Sequence, residues 1–377
     1  MLYKVLLIPI LIVLCTCILA SPGHTQAEQH NHGLFRASVQ DIEILADPTT
    51  PPKLPGDEAH QIVTVKVIGS TYDGLLLRIP HVVINQPGYN IKLRIGDEVI
   101  IYAEPDGSSL KNYYITDYAR DKKVLYLILL FIFLLLLLGG NKGLRTIISL
   151  LITGGAVYFI LLPALFDGYD PLTITIIVSG IVTMIALPMI TGLSKKTLAA
   201  ILGTIGGVVA AGILAYATGT AAHLTGFSDE EMHLLLFVPQ QLNLNYQGIL
   251  FAGMIIGALG AVMDVGMSVA SAVEEIKRAN PLLGARALIR AGMNVGRDTM
   301  GTMANTLILA YTGGSIPLML VLMAYNTPLL KVINMDLIAT EVVRAIAGSI
   351  GLILAIPITA VVAGLLFGTV RREQRFD

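Results

Sequence analysis

Tryptophan is absent, and charged residues make up only 14% of the 377 positions, against about a quarter in soluble domains. A chain so poor in charge and 54% hydrophobic is not an ordinary soluble protein. Without Trp, anchoring at a membrane–water boundary falls to Tyr, Lys and Arg. Cysteine is nearly missing too, since Cys15 and Cys17 are the only two. That excludes a disulfide framework, a cysteine metal site and a thiol nucleophile beyond the first apolar segment. The formal net charge of −1 gives no electrostatic case for nucleic acid or an acidic substrate. No HExxH, GxSxG or P-loop pattern occurs. Neither classical hydrolysis nor ATP use is therefore supported, and neither an enzyme activity nor a cofactor is expected.

What is present falls into three stretches. Residues 1–23 read as a signal peptide or signal anchor, with Lys4 before the apolar run Val5 to Ala20. Residues 34–118 read as an extracytoplasmic β-rich domain. Val63, Val65 and Val67 alternate with Thr64 and Lys66, and Ile91, Leu93 and Ile95 alternate with Lys92 and Arg94. Period-two patterns of this kind mark half-buried strands. Tyr72-Asp73-Gly74, Gln86-Pro87-Gly88, Gly96-Asp97 and Pro105-Asp106-Gly107 supply turns between them. The spacing predicts a small β-barrel or sandwich, of the OB type among the options.

Residues 124–370 read as an all-α polytopic membrane bundle. A span needs about 20 apolar residues, and spans are expected near 124–140, 144–166, 171–193, 197–221, 248–273, 305–325 and 342–369. Alternate loops are basic: Lys142 and Arg145, then Lys195 and Lys196, then Lys277, Arg278, Arg286, Arg290 and Arg297, and finally Arg371, Arg372 and Arg375. The intervening loops carry Asp167, Asp170, Asp229, Glu230 and Glu231. The positive-inside rule then places the β domain outside the cell membrane and the C-terminus in the cytoplasm.

Function is sought where polarity is costly. Asp264 lies inside the fifth expected span, where a carboxylate costs about 2.5–3.5 kcal/mol on insertion scales unless it meets water or a partner. Gly257, Gly260, Asp264, Ser268, Ser271 and Glu275 recur at helical spacing and form one stripe of small and polar groups. Such a stripe serves either a solute path or a close helix–helix contact held by hydrogen bonds. A second stripe runs through Asn294, Asp298, Gly301 or Thr302, and Asn305, with Arg297 placed to neutralise Asp264 or Asp298. Read the other way, this stripe belongs to an interfacial amphipathic helix with solvated charges. Thr312-Gly313-Gly314-Ser315-Ile316-Pro317 interrupts the sixth span, as a coordinating helix break or as a simple kink. In one acidic loop His223 and His233 flank Asp229, Glu230 and Glu231 without any fixed ligand spacing, so a metal there stays unassigned.

Around the fifth and sixth spans the chain resembles the YibE/F family of bacterial multi-pass membrane proteins. The resemblance rests on Gly257 to Val265 with Ser268 to Ala272, and on Gly292-Met293-Asn294-Val295-Gly296-Arg297-Asp298 leading to Asn305 through Tyr311. Tyr113 to Tyr118 and Ser228 to Glu231 add to it, so the likeness covers about residues 60–325. It implies a membrane protein and brings no catalytic residues. Two expectations compete. In the first, the bundle is a secondary transporter or permease for a small solute or ion, its path lined by Asp264, Ser268, Ser271, Arg297, Asp298 and Asn305. In the second, it is a non-transporting assembly or sensory protein whose outer β domain binds an envelope partner. The expected partners are the lipid bilayer, a small solute or ion, and an envelope protein or a second copy of the chain.

Overall fold

The structure, a computed structural model, describes residues 33–44, 59–83, 91–107, 109–228, 230–237 and 244–368. The signal segment, the Gln86-Pro87-Gly88 turn, Asp229 and the arginines after 370 lie outside the described residues. The chain divides into two compact units, Met1–Leu130 and Phe131–Asp377.

Alternating valines build the first unit. Its strands are β1 (Gly33–Ile44), β2 (Ala59–Ile68), β3 (Leu76–Val83), β4 (Glu98–Asp106) and β5 (Ser109–Tyr118). They form one antiparallel sheet in the order β3-β2-β1-β4-β5. The two outer strands approach one another, so the sheet curls into a nearly closed five-stranded barrel of the OB type. Val63, Val65 and Val67 point inward as their spacing requires, and they meet Ala37, Val39, Ile79, Val99 and Ile101 in a fully buried core. Ile91 to Ile95 is not a strand. Ile91 and Leu93 still pack on the barrel core, but Ile95 is 68% exposed. The backbone there turns instead to bond β1 at its bulge, with the amide of Gly96 donating to the Val39 carbonyl at 2.8 Å. Gly96, at φ 91, holds a conformation that suits glycine.

A charge cluster links β1 and β4 to the residues that follow β5. Arg36 on β1 donates to Glu98 on β4 at 2.7 Å and to Asp121, while Lys122 reaches Glu98 at 2.8 Å. The bonds from Lys122 and then Arg36 hold the Glu98 carboxyl below the usual glutamate range. A carboxyl depressed in the folded state stabilises the fold above its unfolded pKa, and that contribution is lost as pH falls through the folded value. Acidification into and below the glutamate range is therefore expected to speed amide hydrogen exchange in β1 and β4. Glu98→Gln should flatten this pH dependence.

The second unit is helical, and its first helix starts within the range of the first unit. The helices are α1 (Asp121–Ala156), α2 (Leu162–Phe166), α3 (Pro171–Thr191), α4 (Lys195–Ala221), α5 (Glu230–Leu235), α6 (Tyr246–Ala279), α7 (Ala285–Gly314), α8 (Ile316–Ala324), α9 (Leu329–Ile333) and α10 (Asp336–Gly368). Among the described residues, five continuous helical stretches are long and apolar enough to cross a membrane, and a sixth arises when α7 and α8 count as one span bent by 56°. The first stretch, Asp121–Phe166, holds 46 residues. At 1.5 Å per residue that is about 69 Å, more than twice a hydrocarbon core of about 30 Å. It is broken at Gly140 (φ 52, ψ −129). A side chain at Gly143 would overlap the carbonyl oxygen of Leu135, so the chain doubles back here as a tight helical hairpin. Split at the hairpin, this stretch supplies two of the expected spans.

Small residues set the core of the bundle. Gly203, Gly207 and Ala211 on α4 meet Gly351, Ala355 and Thr359 on α10, each series at four-residue spacing. α6 packs against both through Val262, Val265 and Val269, all fully buried. Gly292 and Gly296 let α7 lie close on α6 and α10. The basic termini gather at one end. There Lys196 meets Glu274 at 2.8 Å, Arg278 meets Glu274 at 3.1 Å, and Lys195 caps the Leu366 carbonyl at 2.9 Å. At the opposite end Asp336 accepts from the Thr225 hydroxyl at 2.6 Å, and Asp170 caps α3 by accepting from the Thr173 amide at 2.9 Å.

Candidate functional site

The candidate residues lie on two neighbouring antiparallel helices. Gly292 of α7 sits against Val273 of α6, Gly296 against Val269, and Tyr311 against Gly257. Asp264 falls between the last two contacts, level with Gly301 and Thr302 of α7, and near the middle of α6. The core side of α6 is Val262, Val265, Gly266 and Val269, all buried. Gly257, Gly260, Asp264, Ser268 and Glu275 lie on the opposite side and are exposed, with Ser271 half-buried. Apart from Gly257, which Tyr311 of α7 covers, the stripe therefore does not make the close helix–helix contact of the bundle.

The second stripe behaves alike. Residues 285–314 form one continuous helix rather than an interfacial helix joined to a span. Asn294, Arg297, Asp298, Gly301, Thr302 and Asn305 are exposed on it. Arg297 reaches only Asn294, at 3.5 Å, and neutralises neither carboxylate. Among the described residues Asp264, Ser268, Ser271, Asp298 and Asn305 have no side-chain hydrogen bond or ion pair. The six candidates thus share two adjacent outward faces at similar depth and do not close around a cavity.

A lateral groove of about 400 Å³ opens beside the α6 stripe. Thr146, Ser149 and Thr153 from the hairpin's second arm face Gly257 and Gly260 across it. The chain break expected at Thr312–Pro317 is present, as α7 ends at Gly314 and α8 starts at Ile316. Ser315 between them is buried, and its hydroxyl bonds the Tyr311 carbonyl at 3.1 Å. The freed backbone is thus partly satisfied by the neighbouring side chain.

One polar group escaped the sequence reading. Glu341 and Arg344 on α10 form an ion pair at 2.8 Å, each only 21% exposed. Arg344 lies inside the seventh apolar run, with a glutamate three residues earlier as the detectable signal. The buried hydroxyl of Tyr311 stands over Gly257 and has no hydrogen-bond partner among the described residues. In the acidic loop the His233 ring lies 5.6 Å from Phe227, whose ring packs at a tilt against Tyr246 at 4.5 Å. No group of three His, Cys, Asp or Glu among the described residues is placed to hold a metal ion.

A family model described as YibE/F-like protein matches residues 127–369. No curated protein and no solved structure matches the chain.

Proposed function

Since the chain belongs to the YibE/F-like family, we propose that this membrane protein is a permease for a small solute or ion, and that α6 and α7 form one wall of its path. The observation that carries this reading is the pair of outward faces, near the middle of α6 and of α7, bearing Asp264 and Asp298 without partners among the described residues. Ionisable side chains inside membranes face a bundle interior or a water-filled cavity and mark substrate or ion pathways. Asp264 supplies charge, Ser268 and Asn305 supply hydrogen-bonding groups, and the bend between α7 and α8 offers a place for the path to open. No covalent step belongs to this reading. The gathering of Lys195, Lys196, Lys277 and Arg278 at one end supports an orientation with that end in the cytoplasm. The β barrel is then extracytoplasmic.

Asp264→Asn keeps the shape of the side chain and removes its charge. In vesicles carrying the purified protein, flux of the transported species is expected to fall at least ten-fold while the protein still elutes as a folded particle. Wild-type flux in that variant would remove Asp264 from the path.

One observation favours the assembly reading. Leu34, Tyr102 and Tyr114 form a cross-strand row on the outer face of the barrel. Leu34 is 63% and Tyr114 53% exposed, and the two tyrosines stack at 5.0 Å. If the barrel docks an envelope partner, Tyr114→Ser should abolish the co-purifying complex and leave flux intact.

A further inference from the structure

Within one chain Asp264, Asp298 and Asn305 stay exposed on α6 and α7 without a partner among the described residues, and lipid offers them none. The faces carry their own complement. Asp264 and Glu275 lie about three turns apart on one side of α6, and Arg290 and Arg297 lie two turns apart on one side of α7. The depths match, because Val273 is level with Gly292 and Val269 with Gly296. Glu275 is thus level with the Arg290 turn, and Asp264 sits about a turn from Arg297, within reach of an arginine side chain. Within one chain none of these acids pairs with either arginine: Arg297 meets Asn294, and Glu275 meets Arg278 at a loose 3.4 Å. A two-fold axis along the membrane normal keeps depths equal and lays α6 of one copy against α7 of the other.

We propose that a second copy of this chain covers this face, with Asp264 and Glu275 of each copy meeting Arg297 and Arg290 of the other. The small residues Gly260 and Gly301, with open space beside them, then let the helices approach, and the polar groups of both copies enclose a common path. The proposal rests on the permease reading of this face and names the wall that one chain does not supply.

The test uses the full chain in native membranes, in a Cys15→Ser, Cys17→Ser background. Two differently tagged copies are coexpressed, one with Ser268→Cys and the other with Gly301→Cys, which leaves all four charges in place. Mild oxidation with copper phenanthroline is expected to give a disulfide-linked product bearing both tags, at twice the 40.3 kDa chain mass. Ile213→Cys, on the 58% exposed outer side of α4, serves as the control and should give none. Arg297→Asp should cut the product at least five-fold, and adding Asp264→Arg should restore it. No product beyond the Ile213→Cys control, or a product joining this chain to a different protein, would overturn the proposal. Vesicles loaded at less than one chain each separate it from the reading beneath. Full flux there overturns the dimer and leaves the permease, whereas a cross-linked pair with no flux upholds the dimer and removes the permease.

Discussion

Gly351→Leu is expected to abolish the folded bundle. A Cβ at Gly351 would stand 2.6 Å from the Cβ of Ala211 and 2.7 Å from the carbonyl oxygen of Gly207. The reverse also holds, since a Cβ at Gly207 would meet the Gly351 carbonyl at 2.6 Å. The obstacle on each side is backbone, which has no rotamer through which to yield. α4 and α10 would have to separate along a seam that also includes Gly203 against Thr359. Overpacking a rigid contact costs about 1–3 kcal/mol where neighbours can shift, and more where they cannot. Loss at this seam also strips α6 of the surface that buries Val262 and Val265. The measurement is the monodisperse fraction after solubilisation in mild detergent, with a thermal melt. Gly351→Leu should leave almost none of the folded peak, whereas Ile213→Leu, on the outward side of α4, should match the parent protein. A normal melt for Gly351→Leu would show that the α4–α10 contact is looser than described.

The second large effect is expected at the hairpin of α1. Gly140 adopts φ 52 and ψ −129, a combination that residues with a Cβ rarely reach. Gly143 packs its Cα against the Leu135 carbonyl on the other arm. Valine at 143 would force the arms apart, and valine at 140 would oppose the turn itself. The apolar window of this stretch has no residue buried in the bundle, so helix packing does little to hold the hairpin in place. Sidedness of a Lys142→Cys reporter in sealed vesicles gives the readout. The parent is expected to label from one side only. The Gly140→Val, Gly143→Val pair should label from both, as the chain runs on past the turn in part of the population.

Much of this architecture was legible in the sequence because bilayer thickness and strand alternation impose fixed lengths and periods. The run from Pro171 to Thr191, the run from Lys195 to Ala221 and the inward valines of β2 could hardly have been placed otherwise. Other features were not legible. Ile91 to Ile95 alternates like a strand, yet the bulge in β1 captures that backbone, and such long-range pairing leaves no local trace. Arg286, Arg290, Arg297 and Asp298 set the first half of residues 285–314 apart from an apolar span, and only the structure shows one helix running through to Gly314. The pair Glu341–Arg344 was passed over because one arginine barely lowers the mean hydropathy of the apolar run 342–369, and its glutamate lies just outside that run, one helical turn away at 2.8 Å.

The sequence by itself determined that this chain is built to enter a membrane, where its basic and acidic turns fall, and which polar residues share a helix face. It also placed Asp264 on the same stripe as Gly257, Gly260 and Ser268. Only the tertiary structure decided which way that stripe points. In lipid, both sides of a helix are apolar or small, so periodicity defines a face without saying which one is the core. Gly203, Gly207 and Gly351 occupy the close-packed centre, and this leaves Asp264, Asp298 and Asn305 facing outward for a path or a partner to satisfy.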